Sequence, residues 1–118
     1  MRRPEELIHR AVVQHLELRK APGVMFTHPA SGGGRSKAEA GIMKALGVRP
    51  GWPDLVGVVF DGAGEMRVWG LELKAPQGRL TKEQREWIKA VSDAGHYAGW
   101  ASSVDDAVDL LAEWGVIE

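Results

Sequence analysis

The stretch that decides the fold runs from Trp52 to Lys74 and reads WPDLVGVVF (52–60), DGAGE (61–65) and MRVWGLELK (66–74). Asp54 to Phe60 is apolar and β-branched, which predicts a strand, and Asp61-Gly62-Ala63-Gly64 is a tight turn. Met66 to Lys74 is then the return strand of an antiparallel hairpin. Side chains alternate across a strand. Met66, Val68, Gly70, Glu72 and Lys74 therefore share one face, and Arg67, Trp69, Leu71 and Leu73 share the other, where the leucines can enter a core. With the turn near residue 62 or 63, Asp54 falls opposite residue 71 or 72, close to Glu72.

That juxtaposition has a cost. Ionised groups are expensive to bury, and two carboxylates held together repel unless a cation lies between them. A hard divalent ion such as Mg²⁺ suits them, because it takes oxygen ligands at about 2.0–2.1 Å. The backbone carbonyl of Leu73 offers a further ligand. Such an ion polarises a phosphate oxygen and lowers the pKa of a bound water, and Lys74 is placed to stabilise the developing negative charge or orient that water. The pattern points to phosphodiester cleavage. The plain alternative is a surface ion pair among Asp54, Glu72 and Lys74 at a strand end.

Outward from the hairpin, residues 5–19 read as a helix, with Leu7, Ile8, Ala11, Val12 and Leu16 at three- and four-residue steps. Pro4 stands where a first-turn proline is tolerated. Val24 to His28 is a short strand candidate, and Pro29 to Gly34 a loop with three consecutive glycines. Ser36-Lys37-Ala38-Glu39 and Thr81-Lys82-Glu83-Gln84 both have capping-box spacing. They open helices running to about Leu46, with Gly47 past the end, and through Val91. Tyr97 to Ala101 is a short strand, and Ser103 caps a last helix carrying Val104, Val108 and Leu111 and ending at Gly115. The order α-β-α-β-β-α-β-α predicts an α/β fold, a small mixed sheet flanked by helices, in a single domain over 1–118.

The chain has 118 residues, no cysteine and a net charge of −1. Without cysteine there are no disulfides, thiolate zinc sites or cysteine nucleophiles, which fits a cytoplasmic protein. No apolar run is long enough to span a membrane, and Met1 to Glu6 is not followed by the apolar region of a signal peptide. The small net charge hides an asymmetry. Residues 1–91 carry +5 and residues 92–118 carry −6, so the first part is the one suited to contact nucleic-acid phosphates.

Pro53-Asp54 followed by Glu72-Leu73-Lys74 resembles the PD-(D/E)XK nuclease signature. More narrowly, the chain resembles the stand-alone VRR-NUC domains of phages and bacteria. Glu5-Glu6-Leu7-Ile8-His9, Gly32-Gly33-Gly34-Arg35-Ser36, Gly47 to Leu55, Glu72 to Leu80 and Gln84 carry the likeness. It implies a restriction-endonuclease-like fold, dependence on Mg²⁺ with Mn²⁺ as a substitute, structure-specific cleavage of branched DNA such as four-way junctions, and a homodimer. It also implies an acid in the first helix. Glu5 shares the inward face of Ile8 and Val12, whereas Glu6 tracks with Val13, so Glu5 is the better candidate. Both also suit the positive end of the helix dipole. Where relatives tend to carry Asn-Gly-Gly after the first strand, this chain has Ala30-Ser31-Gly32-Gly33.

The resemblance makes Gln84 an active-site helper. Its spacing from Thr81 makes it a capping residue, and one side chain is not expected to serve both well. The glycine loop lacks the phosphate-loop pattern, so no nucleotide cofactor is implied. The loop reads either as a connector or as a segment whose Arg35 and Lys37 meet DNA phosphates. Lys44, Arg49 and Arg79 are further candidates for phosphate contacts. The four histidines show no metal-ligand spacing. His28 alone is placed near the site, against a packed or solvent-facing reading. Of the five tryptophans, most read as core or interface, and Trp52 is the one expected at the cleft.

The sequence therefore predicts a Mg²⁺-dependent endodeoxyribonuclease. Asp54, Glu72, Glu5 and the Leu73 carbonyl hold metal, with Lys74 and Gln84 in the catalytic site. A DNA-binding module that does not cut is the first alternative, and it has no need of clustered acids that repel phosphate. An assembly protein with surface ion pairs and a phosphatase acting on small substrates are the others.

Overall fold

The computed structural model describes residues 3–29 and 36–118. Helix α1 spans Pro4–Arg19 and strand β1 Met25–Thr27, followed by helix α2 at Lys37–Ala45. The hairpin consists of β2, Leu55–Phe60, and β3, Met66–Leu73. Helix α3, Lys82–Asp93, crosses to β4, Tyr97–Ala101, and α4 covers Val104–Glu113.

The strands lie in the order β1-β2-β3-β4. β1 and β3 are antiparallel to β2, and β4 is parallel to β3, with α3 as the crossover. The hairpin register sets Leu55 opposite Leu71 and Phe60 opposite Met66. Asp61 builds the turn, its Oδ1 accepting the Ala63 and Glu65 amides at 2.9 and 3.0 Å and its Oδ2 accepting Arg67 Nε at 3.0 Å. These bonds and the Arg67 charge hold the Asp61 carboxyl below its ordinary pKa. Strand β3 stops one residue short of the expected Lys74, although the Lys74 amide still donates to Ala101 O at 2.9 Å.

The helices begin where the capping residues stand. Ser36, Thr81 and Ser103 accept the amides of Glu39, Gln84 and Asp106 respectively, each at 3.1 Å. Helix α3 runs two residues past Val91, and α4 ends at Glu113, before Gly115.

The two faces of the sheet differ. Trp69, Leu71 and Leu73 on one face are fully buried with Leu55 and Val59 under Val12 and Leu16 of α1 and Ala107 and Leu111 of α4. Trp69 satisfies its indole by donating to Val58 O at 3.3 Å. On the other face, Gly70 admits α3: a Cβ there would run into the Trp87 ring and Pro53 Cγ. This close seat brings α3 down beside Glu72. The C-terminal segment is fastened to the end of α1, where Glu118 O accepts both Nε and Nη2 of Arg19 at 2.9 and 2.7 Å. No helix among the described residues is long and apolar enough to cross a membrane.

Candidate active site

Asp54 immediately precedes β2 and is tied to two other segments, β3 and the end of β1. Its backbone N–H donates to Glu72 Oε1 at 3.0 Å, its Oδ2 accepts the Leu73 amide at 2.8 Å, and its carbonyl lies 2.6 Å from His28 Nδ1. The chain enters this position through Gly51. At φ +92° it takes a conformation that suits glycine, and a Cβ would stand 2.7 Å from Glu83 O.

Glu72 is 4% exposed, the one buried charged residue among those described. Its Oε2 accepts Gln84 Nε2 at 2.7 Å and pairs with Lys74 Nζ at 3.2 Å. Burial, then the neighbouring Asp54 charge, pushes the Glu72 carboxyl up from 4.5 to about 7, although Lys74 pulls the other way. From α1, Glu5 completes a cluster. Glu5, Asp54 and Glu72 each present a carboxylate oxygen, all within 4.8 Å of one another. Three converging carboxylates, one of them driven toward protonation, are a donor set that fits a hard divalent cation.

The cluster opens into a cavity of about 580 Å³ whose wall includes Glu5, Asp54, Glu72, Lys74 and Gln84. Trp52, 44% exposed, also lines it and packs on Trp87 with ring centroids 5.4 Å apart.

The other residues singled out from sequence fall in varied places. Glu6 is exposed, stands outside the carboxylate cluster and pairs with Arg10 at 3.2 Å. Gln84 overturns the expectation that one side chain cannot serve two partners well. Its Oε1 accepts the Thr81 amide at 2.8 Å while its Nε2 donates to Glu72. The amide has an acceptor end and a donor end, and the capping box uses only the first. Arg49 donates Nη1 to Lys44 O and Val48 O at 2.9 and 3.1 Å, covering carbonyls at the end of α2. Lys37, Lys44 and Arg79 are exposed, and none of these three nor Arg49 lines the cavity. Arg35 and the glycine loop from residue 30 to 35 lie outside the described residues.

One participant was not singled out from sequence. His9 lies one turn after Glu5, and its ring meets His28 edge-on, with centroids 4.7 Å apart and planes at 86°. His9, His28 and Asp54 offer ligand atoms within 4.8 Å of one another. Burial holds the His9 imidazole below its ordinary pKa, against the pull of Asp54 and Glu5. The available signal was the four-residue step from Glu5, which puts both side chains on one helix face. His96 is elsewhere, accepting the Val68 amide at 3.0 Å.

A four-stranded mixed sheet flanked by helices, with an acidic cleft at its hairpin, defines a nuclease-type domain of the restriction-endonuclease-like fold. The chain belongs to the VRR-NUC domain family, which matches residues 3–105. Two solved structures share the fold. A VRR_NUC domain protein has 21% identity and a TM-score of 0.70, the match covering 97% of this chain and 89% of that one. A VRR_NUC domain has 17% identity and a TM-score of 0.60, covering 96% and 99%. No curated protein matches the chain.

Proposed function

We propose that the protein is a divalent-metal-dependent endodeoxyribonuclease, with Mg²⁺ as the ordinary ion and Mn²⁺ able to replace it. The observation that carries this reading is the convergence of Glu5, Asp54 and Glu72 beside Lys74 in an open cleft. These three carboxylates, with the Leu73 carbonyl, would hold the metal. When bound, the ion supplies charge neutralisation at the scissile phosphate and acidifies a water.

The chain's own groups do the rest. Asp54 and Glu72 are held in place before any ion arrives, by the Leu73 amide and by Gln84 and the Asp54 amide. Such outer partners orient ligands and tune their basicity. Lys74 Nζ, anchored on Glu72, has hydrogens to spare for a phosphate oxygen or the attacking water. Lys37, Lys44, Arg49 and Arg79 stand outside the cleft and are proposed as contacts to flanking phosphates, together with Arg35.

The substrate we infer is branched DNA, four-way junctions included, cut by a homodimer. Met25, Phe60 and Met66 support a partner surface. They are 67, 51 and 58% exposed on one sheet face, and the strand register brings them together. The test is cleavage of junction, flap and linear duplex substrates with Mg²⁺ and with EDTA, alongside light scattering for the oligomeric state. Metal-independent DNA binding without cutting would favour the non-cleaving module.

A further inference from the structure

Two donor groups of different chemistry meet at Asp54. On one side stand the carboxylates of Glu5 and Glu72. Close by stand two imidazoles, His9 from α1 and His28 just past β1. Nothing in the oxygen-ligand reading uses the histidines. The histidines and Asp54 line a cavity of about 500 Å³ that meets the cleft above at Glu5, His28 and Asp54 and is also bounded by Arg3 and, beside Glu6, by Arg10. Arg10 is already paired with Glu6 at 3.2 Å, so its charge is partly answered.

The state of one histidine can be read directly. His28 Nδ1 lies 2.6 Å from the Asp54 carbonyl oxygen. A carbonyl only accepts, so Nδ1 carries the hydrogen and donates it, and in the neutral ring Nε2 is then the nitrogen with a lone pair to offer. Donation of the remote ring N–H to a backbone carbonyl is how metal-bound imidazoles are held in tautomer and orientation. His9 approaches edge-on, its plane at 86° to that of His28. The rings therefore do not stack, and nitrogens from both converge with an Asp54 oxygen. Asp54 spends Oδ2 on the Leu73 amide and still has lone pairs on both oxygens to share.

We propose that His9, His28 and Asp54 form a second cation site, joined to the carboxylate cluster through Asp54 and taking a first-row transition ion in preference to Mg²⁺. The selectivity follows from the donors. Imidazole nitrogen suits borderline ions such as Fe²⁺, Co²⁺, Ni²⁺ and Zn²⁺, and Mn²⁺, though harder, accepts it more readily than Mg²⁺, which keeps to oxygen and water. The site stands independently of DNA cleavage, since it concerns ion binding by the chain alone.

Mn²⁺ is the probe, with stoichiometry by equilibrium dialysis and ligand identity by pulsed electron paramagnetic resonance. The wild-type chain is expected to bind two Mn²⁺, to show nitrogen hyperfine coupling, and to release one ion to excess Mg²⁺. The double variant His9→Ala/His28→Ala is expected to bind one Mn²⁺ without nitrogen coupling. Glu72→Gln is expected to keep the nitrogen signal, which separates this site from the carboxylate cluster. A single Mn²⁺ in the wild type, no nitrogen coupling, coupling that survives the double variant, or coupling abolished by Glu72→Gln would each overturn the proposal. If the double variant does not fold by circular dichroism, the wild-type stoichiometry and nitrogen signal decide alone.

Discussion

Gln84 Nε2 donates to Glu72 Oε2 across 2.7 Å while the same side chain closes the N-terminal cap of α3. A helix start and a candidate metal ligand are thus joined through one amide. The two roles separate by substitution. Gln84→Ala removes half of the capping box and is expected to cost about 1 kcal/mol of stability. Gln84→Glu keeps the acceptor for the Thr81 amide but has no donor for Glu72. Its carboxylate repels Glu72 in the absence of metal, so it should lose stability in EDTA and regain part of it in Mg²⁺, while losing about 10-fold or more in metal-dependent cleavage, the usual scale for an outer partner of a ligand. Urea denaturation and single-turnover cleavage measure the two effects. Wild-type cleavage by Gln84→Glu would show that only the cap matters.

Lys74→Ala should lower cleavage by about 10²–10³-fold, as loss of a charge-stabilising donor does, while duplex and junction binding stay within a few-fold of wild type. Gel-shift titration beside single-turnover kinetics checks this. A parallel collapse of binding would assign Lys74 to DNA affinity instead.

Glu72 makes stability depend on pH. Its folded carboxyl titrates near 7, above the ordinary 4.5, so the native state binds a proton more tightly than the unfolded chain does. The contribution is fully present below pH 4.5 and is lost as pH rises through 7. At about 1.4 kcal/mol per tenfold change in proton affinity, the loss is on the order of 3 kcal/mol. Denaturation in EDTA from pH 4.5 to 8 should show the wild type losing ground relative to Glu72→Gln across this window. Comparison with that variant cancels the opposing titration of His9. Saturating Mg²⁺ should flatten the wild-type curve, because the ion favours the ionised carboxylate. Parallel curves without metal would remove Glu72 as the titrating group.

Gly70→Ala tests the seat of α3. The added methyl group meets the Trp87 ring and Pro53, and overpacking of this kind costs about 1–3 kcal/mol. Because Pro53 adjoins Asp54 and α3 carries Gln84, cleavage should fall at temperatures where the variant is still folded. Thermal melting followed by assays well below the midpoint distinguishes the two losses.

The hairpin was readable because its signals are local. Alternation fixes which side of β3 holds Glu72 and Lys74, and the Asp61 turn fixes the register that sets Leu55 against Leu71. Ser36, Thr81 and Ser103 announce their helices through short-range capping bonds. The meeting of His9 and His28 was not readable. It depends on how β1 pairs with β2 and on where α1 lies across the sheet, and spacing along the chain encodes neither. The bonds that Arg49 makes within the chain were hidden for another reason. Its charge suggests a phosphate, whereas carbonyls at the end of α2 lie within its reach. The double use of Gln84 required knowing that α3 sits on Gly70.

Asp54 engages Glu72, Leu73 and His28 through its amide, its carboxylate and its carbonyl. It is thus a mechanical seam between β2, β3 and the end of β1 as well as a charge. An inactivated reference protein made by truncating Asp54 would remove the carboxylate stitch to the Leu73 amide along with the charge, and a lost signal would confuse broken architecture with broken chemistry. For trapping an uncut complex the cleaner place to intervene is Lys74, which makes none of these three bonds, although it does pair with Glu72.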